Sequence, residues 1–370
     1  MAYSRIAVKL GTNLLTGGSD CLNLEIMSSL VGQIAKLYKQ GLDILLVSSG
    51  AIAAGRKRLG IIKERKDIPF KQVLAAVGQS RLMDAYDQIF GWHEITIAQT
   101  LLTRNDLSHR LSYLNARNTL LALLELRVIP IVNENDVVAV DELQTTVFGD
   151  NDNLSAMVAG LTDADLLMLL TDTPGLYSAD PSRDPGAKLI EKVEKVDAYI
   201  ESLAGKTSST RGTGGMVTKI EAAKLATASG IATVIADGKE PDVIIKLANG
   251  ESIGTYFQPT TSKIESRKRW LLSRISKGNL RIDNGAIKAL REQNKSLLPA
   301  GLIHVHGRFE RGDIVDIMDE ERGGKIACGI SNYSSEDIDI IKGVHSDKII
   351  ELLGYEYGTE IVHRDNMVVL

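Results

Sequence analysis

Residues 43–50, DILLVSSG, lead directly into AIAAGRKRLG at residues 51–60, and this strand-to-helix succession indicates the fold class. The apolar run is typical of a strand buried on both faces, and the stretch after Gly50 opens a helix. Helical patterns also occupy residues 24–41 and 69–90. Similar apolar runs recur at RIAVKLG (5–11), HEITIAQTLL (93–102), VIPIVNEND (128–136), ADLLMLLTD (164–172) and IATVIADG (231–238). Buried strands joined by helical crossovers predict an α/β fold, a three-layer α/β/α sandwich with a mainly parallel sheet.

The length of the chain predicts more than one domain. Its 370 residues exceed one ordinary hydrophobic core. The pattern changes near residue 258, where a polar and basic segment begins, and beyond it short alternating runs are separated by glycine-rich turns. We therefore predict an α/β domain at 1–258, a linker at 259–277, and a small, mostly-β module with one or two helices at 278–370.

Charge and cysteine content narrow the class of protein. The net charge of −4 gives no general attraction to nucleic acid or to an anionic membrane. In residues 278–370, 16 Asp and Glu outnumber 11 Lys and Arg, which disfavours RNA binding there. Only Cys21 and Cys328 occur, far apart, so we expect a reducing cytoplasm and no cysteine metal site. No apolar run reaches the roughly 18–20 residues that span a bilayer, and the N-terminus is not of the signal-peptide type.

The stretch GTGGMVTK, residues 212–219, is a candidate phosphate site. It is not a P-loop, because no glycine directly precedes Lys219, and it is not a dinucleotide loop, because Val217 occupies the place of the last glycine. Consecutive glycines nevertheless expose backbone N–H groups to an anion, and the residues that follow have helical spacing. A glycine-rich surface turn is the alternative interpretation.

Polar residues follow several predicted strands at the points where ligands bind to open α/β sheets. They include Ser48–Gly50, Asn133–Asp136, Gly149–Asn153 and Thr171–Asp172. Lys9 lies inside the first strand between apolar neighbours, where an unpaired charge would be costly. Each feature has a structural alternative, such as a helix cap for the serines and aspartates or an exposed strand end for Lys9. Together they suit the binding of phosphate and a small zwitterion.

Six of these motifs together resemble the amino acid kinase family, in the branch that phosphorylates glutamate and carries a C-terminal PUA domain. They are RIAVKLGTN, VSSGAIAAG, NENDVV, FGDNDNLSA, LLTDTPGLYSADP and GTGGMVTKIEAA, and the similarity extends over nearly the whole chain. The resemblance implies that Mg-ATP phosphorylates the γ-carboxylate of L-glutamate to L-glutamyl 5-phosphate, the first step of proline biosynthesis. It also implies feedback inhibition by proline.

The resemblance assigns roles to individual residues. The implied catalytic residues are Lys9, Lys219 and Asp152. The implied substrate-binding residues are Ser49, Gly50, Ala51, Asn133, Asp136, Asp150 and Asn151. The implied ATP-binding residues are Lys9, Thr171, Asp172, Thr213, Gly214, Gly215, Met216, Val217, Thr218 and Lys219.

The expected chemistry needs ATP and Mg²⁺ but no general base, because a carboxylate nucleophile is already ionised at neutral pH. Magnesium should bridge ATP oxygens and keep several waters, so we expect no dedicated protein metal site. The expected partners are L-glutamate, proline as inhibitor, further copies of the chain in a dimer or tetramer, and possibly the next pathway enzyme. Two alternative functions stay open. The first is a kinase for another small carboxylate, a carbamate or a nucleoside monophosphate, and the second is an RNA-binding protein that acts through the tail module. A further possibility is that the tail module regulates the enzyme or assists its assembly.

Overall fold

A computed structural model describes residues 3–61, 67–139, 151–181, 183–204, 215–263, 265, 271 and 275–370. The chain divides into two compact units, one formed by Met1–Ser108 with Asn115–Lys263 and the other by His109–Leu114 with Ile264–Leu370. The domain bounds expected from the sequence, 1–258, 259–277 and 278–370, stay a prediction.

The first unit contains, within the described residues, an eight-stranded sheet in the order β3-β4-β2-β1-β5-β7-β8-β6. Neighbouring strands are parallel except for β7 and β8, which are antiparallel. This confirms the predicted mainly parallel sheet. The strands are β1 Arg5–Leu10, β2 Asp43–Ser48, β3 Ile97–Leu102, β4 Ile129–Glu134, β5 Leu166–Thr171, β6 Lys192–Val193, β7 Ala232–Asp237 and β8 Thr255–Phe257.

The predicted helices begin and end close to their expected positions. Asn23 caps α2 by accepting hydrogen bonds from the Glu25 and Ile26 amides, and Asp67 caps α4 by accepting from the Phe70 amide. The described helices up to residue 248 are α1 Thr12–Thr16, α2 Leu24–Lys39, α3 Ala51–Leu59, α4 Ile68–Gly91, α5 Arg104–Ser108, α6 Arg110–Glu125, α7 Asn151–Leu161, α8 Ala198–Ala204, α9 Met216–Ala228 and α10 Val243–Ala248. In the part of the chain that the structure describes, no helix is both long enough and apolar enough to cross a membrane.

Two separate hydrophobic cores cover the two faces of this sheet. Ile6, Val8 and Leu10 of β1 pack into the core that also contains residues of α2 and α4. Ala7 packs into the other core, with alanines of α7 and α9. This confirms the three-layer sandwich. Because side chains alternate between the faces of a strand, Lys9 lies on the same face as Ala7 and is directed toward α7 and α9.

Helices α3 and α4 approach each other at two glycines. A Cβ on Gly78 would lie 1.7 Å from the Ala51 carbonyl oxygen, and one on Gly55 would lie 1.9 Å from the Leu74 carbonyl oxygen. Only hydrogen side chains allow the two backbones to come this close. The crossing therefore positions the first turn of α3, which begins directly after Gly50.

The second unit contains a five-stranded mixed sheet in the order β10-β9-β11-β12-β13, within residues 275–370, all of which are described. Three helices accompany it, one more than the sequence indicates, and Ser334 and Asp337 form a capping box at the start of one of them. The predicted small, mostly-β module is confirmed. Its elements are β9 Gly278–Ile282, α11 Asn284–Gln293, β10 Leu302–His306, β11 Ile314–Asp319, β12 Lys325–Ile330, α12 Ser335–Ile341, α13 Ile349–Leu353 and β13 Met367–Val369.

Replacement of Gly78 by alanine should destabilise the protein. The added methyl group must push α3 and α4 apart, and such overpacking costs about 2 kcal/mol in the free energy of unfolding. Urea denaturation measures this cost. Gly91→Ala is the matched control, because Gly91 lies in the same helix and a Cβ there meets no atom within 4 Å. Equal denaturation midpoints for the two variants would contradict the close crossing.

Candidate active site

The three residues predicted to be catalytic, Lys9, Asp152 and Lys219, meet at the carboxyl edge of the sheet. The Lys9 Nζ atom lies 2.6 Å from Asp152 Oδ1, and the Lys219 Nζ atom lies 3.3 Å from Asp152 Oδ2. The Thr218 hydroxyl lies 2.7 Å from the same Oδ2. Asp152 is fully buried, and Lys9 and Lys219 are 3% and 5% exposed. One carboxylate thus holds two ammonium groups that come from β1 and α9; their catalytic roles stay a prediction.

The charges of this cluster decide the protonation state of Asp152. Burial alone would raise the pKa of Asp152, but the attraction of Lys9 and Lys219 and the hydrogen bonds from Lys9 and Thr218 outweigh it and lower the pKa to about 2. Asp152 is therefore ionised at neutral pH. Two cations and one anion leave a local charge of +1, which suits an anionic ligand.

The N-terminus of α9 lies beside this cluster. Gly215 is the N-cap residue of the helix, and it has no side chain to accept hydrogen bonds from the first-turn amides of Met216, Val217 and Thr218. Those amides, together with the helix dipole, form the kind of site that binds phosphate. The predicted ATP-binding residues Thr213 and Gly214 lie outside the described residues.

A second glycine-capped helix begins at the end of β2. Gly50 caps α3 with a φ of +105°, a conformation that glycine adopts without strain. A Cβ there would also lie 3.1 Å from the Leu22 side chain. Ser49 is nearly buried, and its amide donates to the Leu10 carbonyl at 3.1 Å, which ties this turn to the end of β1. The predicted residues Ser49, Gly50 and Ala51 therefore present a hydroxyl and open helix amides beside the strand that carries Lys9.

Side-chain amides connect the ends of β2 and β4 to α4 and α7. The Asn151 Nδ2 atom donates to Ser49 Oγ and to Asn133 Oδ1, both at 3.1 Å. Asn133 Oδ1 also accepts from the Glu134 amide at 2.9 Å, and Asn133 Nδ2 donates to Gln79 Oε1 at 2.8 Å. The structure thus brings Ser49, Asn133 and Asn151 together, as the predicted substrate site requires, and adds Gln79.

Of Asp136 and Asp150, the other two side chains predicted to bind the substrate, the structure describes only Asp136. Asp136 lies half-buried in the turn that follows β4, two residues beyond the end of the strand. Asp150 lies outside the described residues. The roles of both stay predictions.

The predicted nucleotide residues Thr171 and Asp172 lie at the end of β5, next to the end of β1. The Thr171 hydroxyl lies 3.1 Å from Asp172 Oδ1, and the Asn13 Nδ2 atom donates to Asp172 Oδ2 at 3.2 Å. Asn13 therefore holds the carboxylate that the sequence singles out.

Sequence reasoning missed Gln79 and Asn13. Asn13 lies four residues after Lys9, just past the end of β1, so the rule that polar residues at strand ends form sites could have found it. Gln79 is one polar residue within a long helix, and no local pattern distinguishes it from a surface glutamine.

The described residues contain no group of three or more His, Cys, Asp or Glu side chains arranged to hold a metal ion. Both oxygens of Asp152 already contact ammonium groups. This carboxylate is therefore a partner for lysines and is poorly suited to bind a cation.

Comparisons with known proteins identify the family of this chain. The model of the amino acid kinase family matches residues 4–237, and the model of the PUA domain matches residues 278–353. The chain belongs to the amino acid kinase family. It is similar along its whole length to proteins named glutamate 5-kinase. The relative from Dehalococcoides mccartyi is 57% identical over 369 residues, covering 100% of this chain and 99% of the relative.

Two further relatives with the same name come from other organisms. The protein from Herpetosiphon aurantiacus is 51% identical and the one from Pasteurella multocida is 49% identical, and each alignment covers 99% of this chain and 98% of the relative. The resemblance inferred from the motifs is confirmed, and so is the PUA domain.

Replacement of Asp152 by asparagine should destabilise the fold at neutral pH. It leaves two buried ammonium groups without their counter-charge, and loss of one member of a buried ion pair costs about 3–5 kcal/mol. Because the folded-state pKa is depressed, the contribution of Asp152 is present above about pH 4 and is lost as the pH falls toward 2. The difference in free energy of unfolding between wild type and variant should therefore shrink below pH 4.

Urea denaturation at several pH values measures this difference. Asp84→Asn is the control: the Asp84 side chain is 55% exposed, and its ion pair with Arg81 at 3.8 Å should contribute less than about 1 kcal/mol. A similar, small loss in both variants would refute the role given to Asp152.

Proposed function

We propose that this protein transfers the γ-phosphoryl group of ATP to the γ-carboxylate of L-glutamate, which yields L-glutamyl 5-phosphate and ADP and begins proline biosynthesis. The observation that carries the proposal is the 57% identity, over the whole chain, to a protein named glutamate 5-kinase. The buried pair of lysines on Asp152 supports the same chemistry from the geometry.

The reaction requires neutralisation of charge. An anionic oxygen of the substrate must approach an anionic phosphorus centre in line, forming a carboxyl O–P bond while the bond from phosphorus to the ADP oxygen breaks. Lys9 and Lys219 supply two positive charges in a buried region, where they act more strongly than in water. Asp152 keeps the two ammonium groups close together, and no proton has to be removed from the ionised nucleophile.

In this proposal the N-terminus of α9 binds ATP, and the N-terminus of α3 binds the acceptor substrate. The α9 amides of Gly215, Met216, Val217 and Thr218 would bind the phosphates of ATP, with Thr171 and Asp172 near the nucleotide. The α3 amides of Gly50 and Ala51 would bind the γ-carboxylate of the substrate, and Asp136 would bind its α-ammonium group. The proposed site also includes Thr213 and Gly214, which would bind ATP, and Asp150, which would bind the substrate. All three lie outside the described residues.

Magnesium would be held by ATP phosphate oxygens and water rather than by a protein site. The donor set supports this, because the buried Asp152 is already occupied by two ammonium groups. A bound Mg²⁺ supplies further neutralisation of phosphate charge.

Kinases for other small carboxylates, carbamate or nucleoside monophosphates are the rivals within this fold. Substrate profiling by ADP release distinguishes them, with hydroxylamine used to trap the acyl phosphate that only a carboxylate substrate forms. RNA binding through the second unit is disfavoured, because its sequence from 278 to 370 is net acidic.

Removal of either buried lysine should abolish most activity in the hydroxylamine assay with L-glutamate and Mg-ATP. Lys9→Ala and Lys219→Ala should each lower kcat by at least about 100-fold, because each removes a charge that stabilises the transition state. Lys224→Ala is the control, since Lys224 lies in the same helix as Lys219 but is 58% exposed and pairs with Glu201. Wild type that forms hydroxamate from another acid but none from L-glutamate would reject the proposed function.

Proline should inhibit by competition for the acceptor site, because it presents the same α-carboxylate and ammonium groups as glutamate. Added proline should raise the KM for L-glutamate and leave kcat unchanged. Initial rates at several concentrations of both compounds measure this, with the KM for ATP as the control. A fall in kcat at saturating glutamate would place the inhibitor at another site.

A further inference from the structure

One backbone group sets the orientation of three side-chain amides in the acceptor region. The Glu134 amide donates to Asn133 Oδ1 at 2.9 Å, so this oxygen faces the backbone of β4 and Asn133 Nδ2 faces the other way. Asn133 Nδ2 donates to Gln79 Oε1 at 2.8 Å. Because a donor requires an acceptor opposite it, Gln79 must turn its oxygen toward Asn133 and its Nε2 group away.

The same reasoning sets the orientation of Asn151. Its Nδ2 group donates to Asn133 Oδ1 and to Ser49 Oγ, both at 3.1 Å. The Asn151 Oδ1 atom is therefore directed away from these two partners.

Two polar atoms of this network are buried and have no hydrogen-bond partner among the described residues: Gln79 Nε2, a donor, and Asn151 Oδ1, an acceptor. Buried polar groups are nearly always paired, and an unpaired group in a native site calls for an explanation. A ligand that carries both an anionic acceptor and a cationic donor would satisfy both atoms. An α-amino acid has those two groups on one carbon.

The position of the network suits this end of the substrate. Asn151 is adjacent in sequence to Asp152, which holds the two lysines, and the hydrogen bonds then lead through Asn133 to Gln79. The hydrogen bonds thus connect Gln79 to the residue next to Asp152 in the sequence.

We propose that Gln79 is a specificity-determining residue of the acceptor site: its Nε2 group donates to the α-carboxylate of the substrate, while Asn151 Oδ1 accepts from the α-ammonium group. This inference rests on the proposed function, and it adds the residue that recognises the α-carboxylate. Gln79 also holds Asn133, so the test must separate recognition from positioning.

Gln79→Glu makes that separation. The glutamate side chain keeps an oxygen that accepts from Asn133 Nδ2, but it replaces the free donor by a negatively charged acceptor. The variant should lower kcat/KM for L-glutamate by about 100-fold or more, because two carboxylates then face each other. L-Isoglutamine, whose α-carboxamide is neutral and can donate a hydrogen bond, should lose less than about 3-fold. The ratio of the two kcat/KM values therefore falls, and the KM for ATP stays at the wild-type value.

Gln88→Glu is the matched control, because it introduces the same charge at an exposed glutamine of the same helix. It should leave the ratio unchanged. Equal losses for the two substrates in Gln79→Glu, or an unchanged kcat/KM for L-glutamate, would overturn the inference. Failure of the wild type to form hydroxamate from L-glutamate would instead reject the proposed function itself, and the inference with it.

If Gln79→Glu does not fold, the ligand affinity of Gln79→Ala, measured by calorimetry, tests the inference independently. The alanine variant should lose at least about 10-fold in affinity for L-glutamate and none for 4-aminobutyrate, which lacks the α-carboxylate. Parallel losses for both ligands would show that Gln79 only positions Asn133.

Discussion

Asp152 holds two ammonium groups in a buried region, and the rest of the site depends on this double ion pair. Lys9 and Lys219 would repel each other if they were brought together alone, and each would be costly to bury without a counter-charge. The carboxylate removes the repulsion but leaves one positive charge uncompensated. The same contact therefore stabilises the packing of β1 against α7 and α9 and prepares the site for an anion.

The position of Lys9 in β1 determines which layer of the fold its side chain faces. Residues of β1 alternate between two cores, so a lysine at position 9 faces the layer that contains α7 and α9, whereas position 8 or 10 would face the other layer. The carboxyl ends of the parallel strands then bring the two glycine-capped helices to one edge. The glycines at the α3–α4 crossing matter for the same reason, because they set where the open amides of α3 lie.

Much of this could be predicted from the sequence. The buried strands and amphipathic helices have strong periodic patterns, and Lys9 stands out because a charge inside an apolar strand requires a partner. The pairing of Asn13 with Asp172 and of Gln79 with Asn133 could not be predicted in that way. Each hydrogen bond joins residues that are distant in the sequence, and a single long-range hydrogen bond produces no periodic pattern from which it could be predicted. The number of helices in the second unit was underestimated because α13 has only five residues, too few to show a helical period.

A neutral amide has a physical advantage over a cationic side chain for recognising the α-carboxylate of the substrate. A cation at that position would also attract the γ-carboxylate and so favour the substrate in the reversed orientation. A side-chain amide avoids this problem, provided that its donor and acceptor cannot exchange places. The Glu134 amide meets this condition, because a backbone N–H can only donate. It fixes the orientation of the Asn133 side chain, and Asn133 in turn fixes the orientations of Gln79 and Asn151. A ligand that lacks either α group then leaves a buried polar atom unpaired, which is the circumstance in which hydrogen-bonding sites discriminate most strongly.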